Sequence, residues 1–151
     1  MKKMLLLISF LFCSLAIFSQ EGTLTIADFG KTFEIKEPDL LLQKDKEYKV
    51  IFDVYTDSNK KNKINPSIVT VARFLHMHQK QGIPLKNMKV VLVLHGGATI
   101  NALNDDSYKK KYRKKNPNSS LLSALKQANV DIFVCGQSLY VKGYKKEHTS
   151  K

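Results

Sequence analysis

The chain has 151 residues, with 25 Lys or Arg against 13 Asp or Glu, a formal net charge of +12, and two cysteines. That length is enough for one domain around a single core, and no internal repeat or long low-complexity segment divides it. The basic balance raises nucleic acid, anionic surfaces and small anions as partner classes.

The N-terminus narrows that choice. Lys2 and Lys3 precede an apolar stretch from Met4 to Phe18, and Ser19-Gln20-Glu21 ends it. The pattern is that of a secretory signal peptide over residues 1–20, too short and wrongly flanked for a membrane span. An uncleaved N-terminal anchor is the competing reading. Cys13 lies inside the apolar core behind Phe12 and would leave with the signal. Loss of Lys2 and Lys3 lowers the charge from +12 to +10 and leaves Cys135 as the only cysteine. An intramolecular disulfide is then excluded, although an oxidising compartment would permit one. A lone cysteine in an exported chain is a reactive thiol, an intermolecular bridge or a buried thiol. The expected location is periplasmic or secreted, with no integral membrane segment after cleavage.

Residues 21–47 read as a lead-in. Thr23-Leu24-Thr25-Ile26 and Thr32-Phe33-Glu34-Ile35 alternate weakly, with Gly30 and Pro38 as punctuation, which fits short edge strands or an arm lying on the domain. Tyr48 to Tyr55 reads as the first strand and ends in polar Thr56-Asp57-Ser58. Asn65-Pro66 supplies an N-cap followed by proline at the first helical position. Ile68, Val71, Ala72, Leu75 and Gln79 then keep helical spacing up to Gly82 and Pro84. Lys89 to Leu94 is apolar after its first residue, as a strand covered on both faces is. It runs into His95-Gly96-Gly97-Ala98 and a short helix through Leu103.

The segment from Lys109 to Lys115 is the densest basic patch, with a lesser one at Lys60, Lys61 and Lys63. It reads as a solvated lysine-rich loop. Specific nucleic-acid binding is not expected of it in an exported chain; attraction to anionic surfaces is the milder option. Asn116-Pro117-Asn118-Ser119 opens a helix carrying Leu121, Leu122, Leu125 and Ala128, and Asp131 to Val134 forms the third strand. Strand and helix alternate at lengths that imply parallel strands joined by crossovers. The class is α/β, a three-layer Rossmann-like sandwich with a mainly parallel sheet.

Such a sheet delivers every strand-to-helix loop to its carboxyl edge, where open α/β sheets bind ligands. Thr56-Asp57-Ser58, His95-Gly96-Gly97 and Cys135-Gly136-Gln137-Ser138 should gather there. Cys135 is the candidate nucleophile, with Asp57, Gly96, Gly97, Gly136, Gln137 and Ser138 around the ligand. Gly136 lets the backbone turn. A helix beginning there would offer N–H groups that favour a thiolate. The bland alternative is a cysteine acting as a small core hydrophobe. His95 either pairs with Cys135 or is a satisfied loop histidine. Gly96-Gly97 is a faint phosphate-cradling turn or a tight turn with close packing. His76 and His78 are two apart on a helix and face differently, and no zinc spacing exists. No metal and no cofactor are expected.

Taken in order, Tyr48 to Val54, Asn65-Pro66, Val93-Leu94-His95-Gly96-Gly97, Asn116-Pro117-Asn118 with Leu121, Leu122 and Leu125, and above all Val134-Cys135-Gly136-Gln137-Ser138 resemble the DsrE/DsrF-like family of sulfur-relay proteins. The stretch from Asp28-Phe29-Gly30 to Phe33 resembles its exported branch. The resemblance implies a Rossmann-like DsrEFH fold assembled as homo- or hetero-oligomers with DsrE-like subunits. It also implies a cysteine at the position of Cys135 that accepts a persulfide and passes it on, with a sulfur donor or acceptor protein as partner. Family members continue further past the cysteine, so a domain over 48–151 is expected to lack a strand or two. The function implied is sulfur or persulfide handling through one cysteine, with a sulfurtransferase-like activity left open. The alternative is a non-catalytic module binding a small ligand or a partner, with a structural cysteine.

Overall fold

A computed structural model describes residues 26–150. The signal-like segment, Cys13, Lys151 and the first three residues of the alternating run Thr23–Ile26 lie outside the described residues.

Three strands, β1 (Tyr48–Val54), β2 (Met88–Leu94) and β3 (Val130–Val134), form one parallel sheet in the order β1-β2-β3. Helix α1 (Pro66–Lys80) connects β1 to β2. The return to β3 runs through a 3₁₀ stretch (Gly96–Ala102), α2 (Asp105–Tyr112) and α3 (Ser119–Gln127). Helix α4 (Gly136–Val141) follows β3. The α/β class and parallel sheet are those the alternation of strand and helix implies.

Crossovers of one hand that advance across the sheet in one direction leave their helices on the same face. The core shows this. Ile68, Val71, Ala72 and Leu75 of α1 and Leu121, Leu122 and Leu125 of α3 pack with Val90, Leu92 and Leu94 of β2 and Val130 of β3. Burial of each Val, Leu or Ile among them contributes about 1.5–3 kcal/mol. Two layers, sheet and helices, are built in this way. The opposite face carries Ile51, which is 69% exposed, and Phe133, 58% exposed.

The lead-in lies on the domain as an arm, and no strand occurs among its described residues. Ile26 is buried in the core, with Phe29 and Leu42 packed against it. Gly30 (φ +68) comes so close to α1 that a Cβ there would lie 2.5 Å from the Arg73 amide nitrogen.

One expectation is corrected. Residues 109–112, which read as the start of the lysine-rich loop, belong to the helix α2 over residues 105–112. The Asn104 side chain accepts from the Ser107 amide at 2.8 Å. Asp105 and Asp106 occupy the first turn and Lys109, Lys110 and Lys111 the last, each sign matching the helix dipole at its end. With Tyr108 as its only buried residue, α2 offers little apolar periodicity to read. Tyr108 packs with Ile100 and Leu103, and its hydroxyl donates to the Lys61 carbonyl at 3.0 Å.

Candidate functional site

The three carboxyl-edge segments meet through backbone hydrogen bonds. His95 N–H donates to Val54 O at 3.0 Å, Ala98 N–H to Tyr55 O at 2.9 Å, and Cys135 N–H to Leu94 O at 2.9 Å. Beneath them lies a buried amide network. Asn65 caps α1 by accepting from the Ser67 amide at 2.9 Å and donates from Nδ2 to Thr56 O at 2.9 Å. Asn118 Oδ1 accepts from the Asn65 amide at 2.8 Å, and its Nδ2 donates to Asn101 Oδ1 at 2.9 Å and Asn116 Oδ1 at 3.1 Å. Asn116 Nδ2 donates to the carbonyls of Asn101 and Leu103 at 2.7 and 2.6 Å. The network thus ties the loop after β1, the 3₁₀ stretch after β2 and the start of α3 into one support.

Above this support is a cleft of about 320 Å³ lined by Tyr55, Gly96, Gly97, Gln137, Ser138, Val141 and Lys142. Gly96 has φ +52, and a Cβ there would stand 2.4 Å from Tyr55 Cε2. Gly97 also lies close to the first loop, its Cβ position 3.2 Å from both Tyr55 O and Asp57 N. The pair is a tight turn packed on β1's exit.

Cys135 is partly buried and sits at the N-cap of α4, its carbonyl accepting from Leu139 N–H at 3.0 Å. Its thiol is held below the ordinary cysteine range, first by a hydrogen bond from the Ser138 hydroxyl and then by the Ser138 amide. Residual desolvation opposes this and the Gln137 amide adds to it. The Ser138 hydroxyl oxygen in turn accepts from Gly96 N–H at 2.9 Å. A chain of donors therefore runs from the turn after β2, through Ser138, to sulfur, and each link favours the anion.

His95 takes a different partner. Its Nε2 lies against Asp53 Oδ1, and its ring meets Tyr55 edge-on with centroids 5.0 Å apart. Cys135 draws on Ser138 and Gln137 instead. Asp57 is mostly covered and pairs with Lys61, one helical turn's spacing away. It borders the turn without lining the cleft. Sequence reasoning missed Tyr55, Lys142 and Asp53. Tyr55 and Asp53 were available from strand alternation, which puts them on the same face as His95. Lys142 gave no pattern to read.

Gly136 opens α4 outside the left-handed region, with open space where a Cβ would go. The strand ends and the chain turns here, but without using glycine's conformational freedom. Gly136→Ala should leave thiol reactivity unchanged and alter stability by no more than a gain of about 1 kcal/mol, since alanine is the better helix former. Thermal melts would check this; a loss of similar size would show that the backbone needs glycine here.

A larger cleft of about 540 Å³ lies between residues 31–35 and the outer side of α1. It contains no cysteine and stands apart from the converging loops. Among the described residues no group of histidines, cysteines and carboxylates could hold a metal, and no helix is long and apolar enough to cross a membrane.

The family model for the DsrE/DsrF-like family matches residues 49–149, from β1 through α4 to the C-terminal tail. The chain belongs to the DsrE/DsrF-like family. No curated protein and no solved structure matches it. Within this DsrE/DsrF-like domain the matched span contains every residue of the cleft.

Proposed function

We propose that this chain is an exported sulfur carrier in which Cys135 takes up and passes on sulfane sulfur. The observation that carries the reading is the Cys135 thiol hydrogen-bonded to Ser138 at the meeting point of the three loops, with its pKa lowered there. Family membership supports the sulfur chemistry, and the apolar stretch from Met4 to Phe18 supports export.

The step is a displacement. The Cys135 thiolate attacks the outer sulfur of a persulfide donor, R–S–SH. A bond forms between Sγ and that sulfur, the donor's S–S bond breaks, and R–S⁻ leaves with the bonding pair. Cys135 is left as Cys–S–SH, the proton staying on the transferred sulfur. No oxidant is needed. Reversal onto an acceptor thiolate releases the sulfur. Ser138 stabilises the Cys135 thiolate as the attacking group in uptake and as the leaving group in release. Lys142, at the cleft wall, places a cation near any anionic donor.

Incubation with a sulfane-sulfur donor should add one sulfur mass to the wild type and none to Cys135→Ser. Because the thiol's pKa is lowered in the fold, first by the Ser138 hydroxyl, its alkylation at neutral pH should be faster than that of an unperturbed thiol and should slow as pH falls. Ser138→Ala removes the largest cause. Its rate profile should move toward that of a thiol with pKa of about 8.5, with alkylation several-fold slower at neutral pH. A thiol reachable only after denaturation, or an adduct that persists in Cys135→Ser, would overturn the proposal.

A further inference from the structure

The sulfur cleft leaves the lysine cluster of α2 unused, and the tail after α4 folds back beside that cluster. Gly143 (φ +74) ends α4, with its N–H on Tyr140 O and Tyr144 N–H on Leu139 O, both at 2.9 Å. Such a left-handed helix ending reverses the chain. Three further bonds hold the tail in place. Asn104 N–H donates to His148 O at 2.9 Å, Asn104 Nδ2 to Glu147 O at 3.1 Å, and Ser150 N–H to Ala102 O at 2.9 Å. Between helix and tail lies a cleft of about 310 Å³ lined by Ser107, Lys110, Lys111, Gly143, Tyr144 and His148.

Every side chain that lines this cleft carries a hydrogen-bond donor. Lys110 and Lys111 bring two ammonium groups, and Ser107 and Tyr144 two hydroxyls. His148 Nδ1 accepts from Lys145 N–H at 3.0 Å, which leaves Nε2 as the donor of the neutral ring. Lys111 is held in position, its Nζ 5.1 Å from the Tyr144 ring centroid and 5.7 Å from that of Tyr112. Its hydrogen bond to Tyr144 raises its pKa, so it stays charged. Among the described lining residues none is acidic. Asp105 of the same helix is turned to Asn116 N–H and the Ser119 hydroxyl, at 3.1 and 2.9 Å. Two cations and three neutral donors suit a compact anion with several acceptor oxygens. A carboxylate brings one charge and two oxygens, whereas a phosphate monoester brings about −1.5 to −2 and three. We propose that this cleft binds a phosphate group, carried by a soluble phosphate or by a lipid headgroup. Lys110 and Lys111 meet it as point charges, and Ser107, Tyr144 and His148 give the directional bonds.

Calorimetric titration of the protein with inorganic phosphate tests this, in about 0.15 M salt to screen diffuse attraction. One site with a Kd of about 1 mM or below is expected. Lys110→Gln should weaken binding about fivefold or more, since it removes a charge-assisted bond, and His148→Gln about threefold. Lys114→Gln loses the same charge outside the cleft and should change binding less than about twofold. Lys110 and Lys114 are both exposed, so neither variant disturbs the core, and circular dichroism would confirm it. Cys135→Ser should bind phosphate as the wild type does, which keeps this site independent of the sulfur chemistry. Phosphatidylcholine vesicles containing phosphatidic acid distinguish the sources. Capture by these vesicles that Lys110→Gln abolishes assigns a lipid headgroup; phosphate binding without such capture assigns a soluble ligand. Binding of neither probe would overturn the proposal. Equal losses in Lys110→Gln and Lys114→Gln would do the same, because diffuse basic charge would then be the cause.

Discussion

Asn118→Ala should cost the fold about 3–5 kcal/mol, a large share of the roughly 5–15 kcal/mol that holds a domain together. The Asn118 side chain is fully buried and makes three hydrogen bonds. Truncation leaves the Asn65 amide and Asn101 Oδ1 without those partners in a dry interior, at about 1–3 kcal/mol each, and opens a small cavity as well. Asn118→Leu fills the space and leaves the same orphans, so it should be no milder. Urea unfolding would show a lower midpoint at unchanged slope in both variants. A loss below about 1 kcal/mol would mean that water or a local shift satisfies the network. The effect should reach the site, because Asn65 also holds Thr56 O and Asn101 Nδ2 holds Ala98 O at 2.9 Å. Freeing those loops should broaden the reactivity of Cys135 before the domain unfolds.

This network also marks where the sequence stops being legible. Apolar periodicity placed β1, β2, β3, α1 and α3, since burial against one core imposes its period on each. Asn65-Pro66 and Asn116-Pro117-Asn118 read as helix starts, and the helices do begin there. What single-chain reading could not show is that Asn118, at the N-cap of α3, makes no capping bond and turns its amide toward Asn65 and Asn101, 53 and 17 residues away. Long-range polar pairing leaves no period. Helix α2 was hidden for a related reason: its support is a cap and two charged ends, features that also suit a solvated loop. The cysteine was legible because a strand, a thiol and a helix start are adjacent in sequence. Its electrostatic partner Ser138 was within reach for the same reason. The pairing of His95 with Asp53 depends on strand register, and register is fixed only when β1 and β2 align.

Gly96→Ala should destabilise the domain by about 2–3 kcal/mol, with a cause that can be divided in two. Gly96 has φ +52, and an alanine forced into the left-handed region costs about 1–2 kcal/mol. Its Cβ would also stand 2.4 Å from Tyr55 Cε2 and 2.7 Å from two more ring atoms. The Tyr55 ring is largely exposed and can swing away, at the expense of its edge contact with His95. A double-mutant cycle separates the two terms. Tyr55→Ala alone should cost little, as an exposed side chain does. In the Gly96→Ala background it should recover the steric part, about 1 kcal/mol, and leave the backbone part in place. Strict additivity would show that Tyr55 is not the obstacle. The chemical readout follows separately from stability. Gly96 N–H donates to Ser138 Oγ, so a shifted turn weakens the chain of donors that ends on Cys135. The thiol of Gly96→Ala should alkylate more slowly at neutral pH than the wild type, and the double variant should regain part of that rate. Recovery of stability without recovery of rate would place the control of the thiolate in α4 alone, with the turn after β2 serving only to pack it.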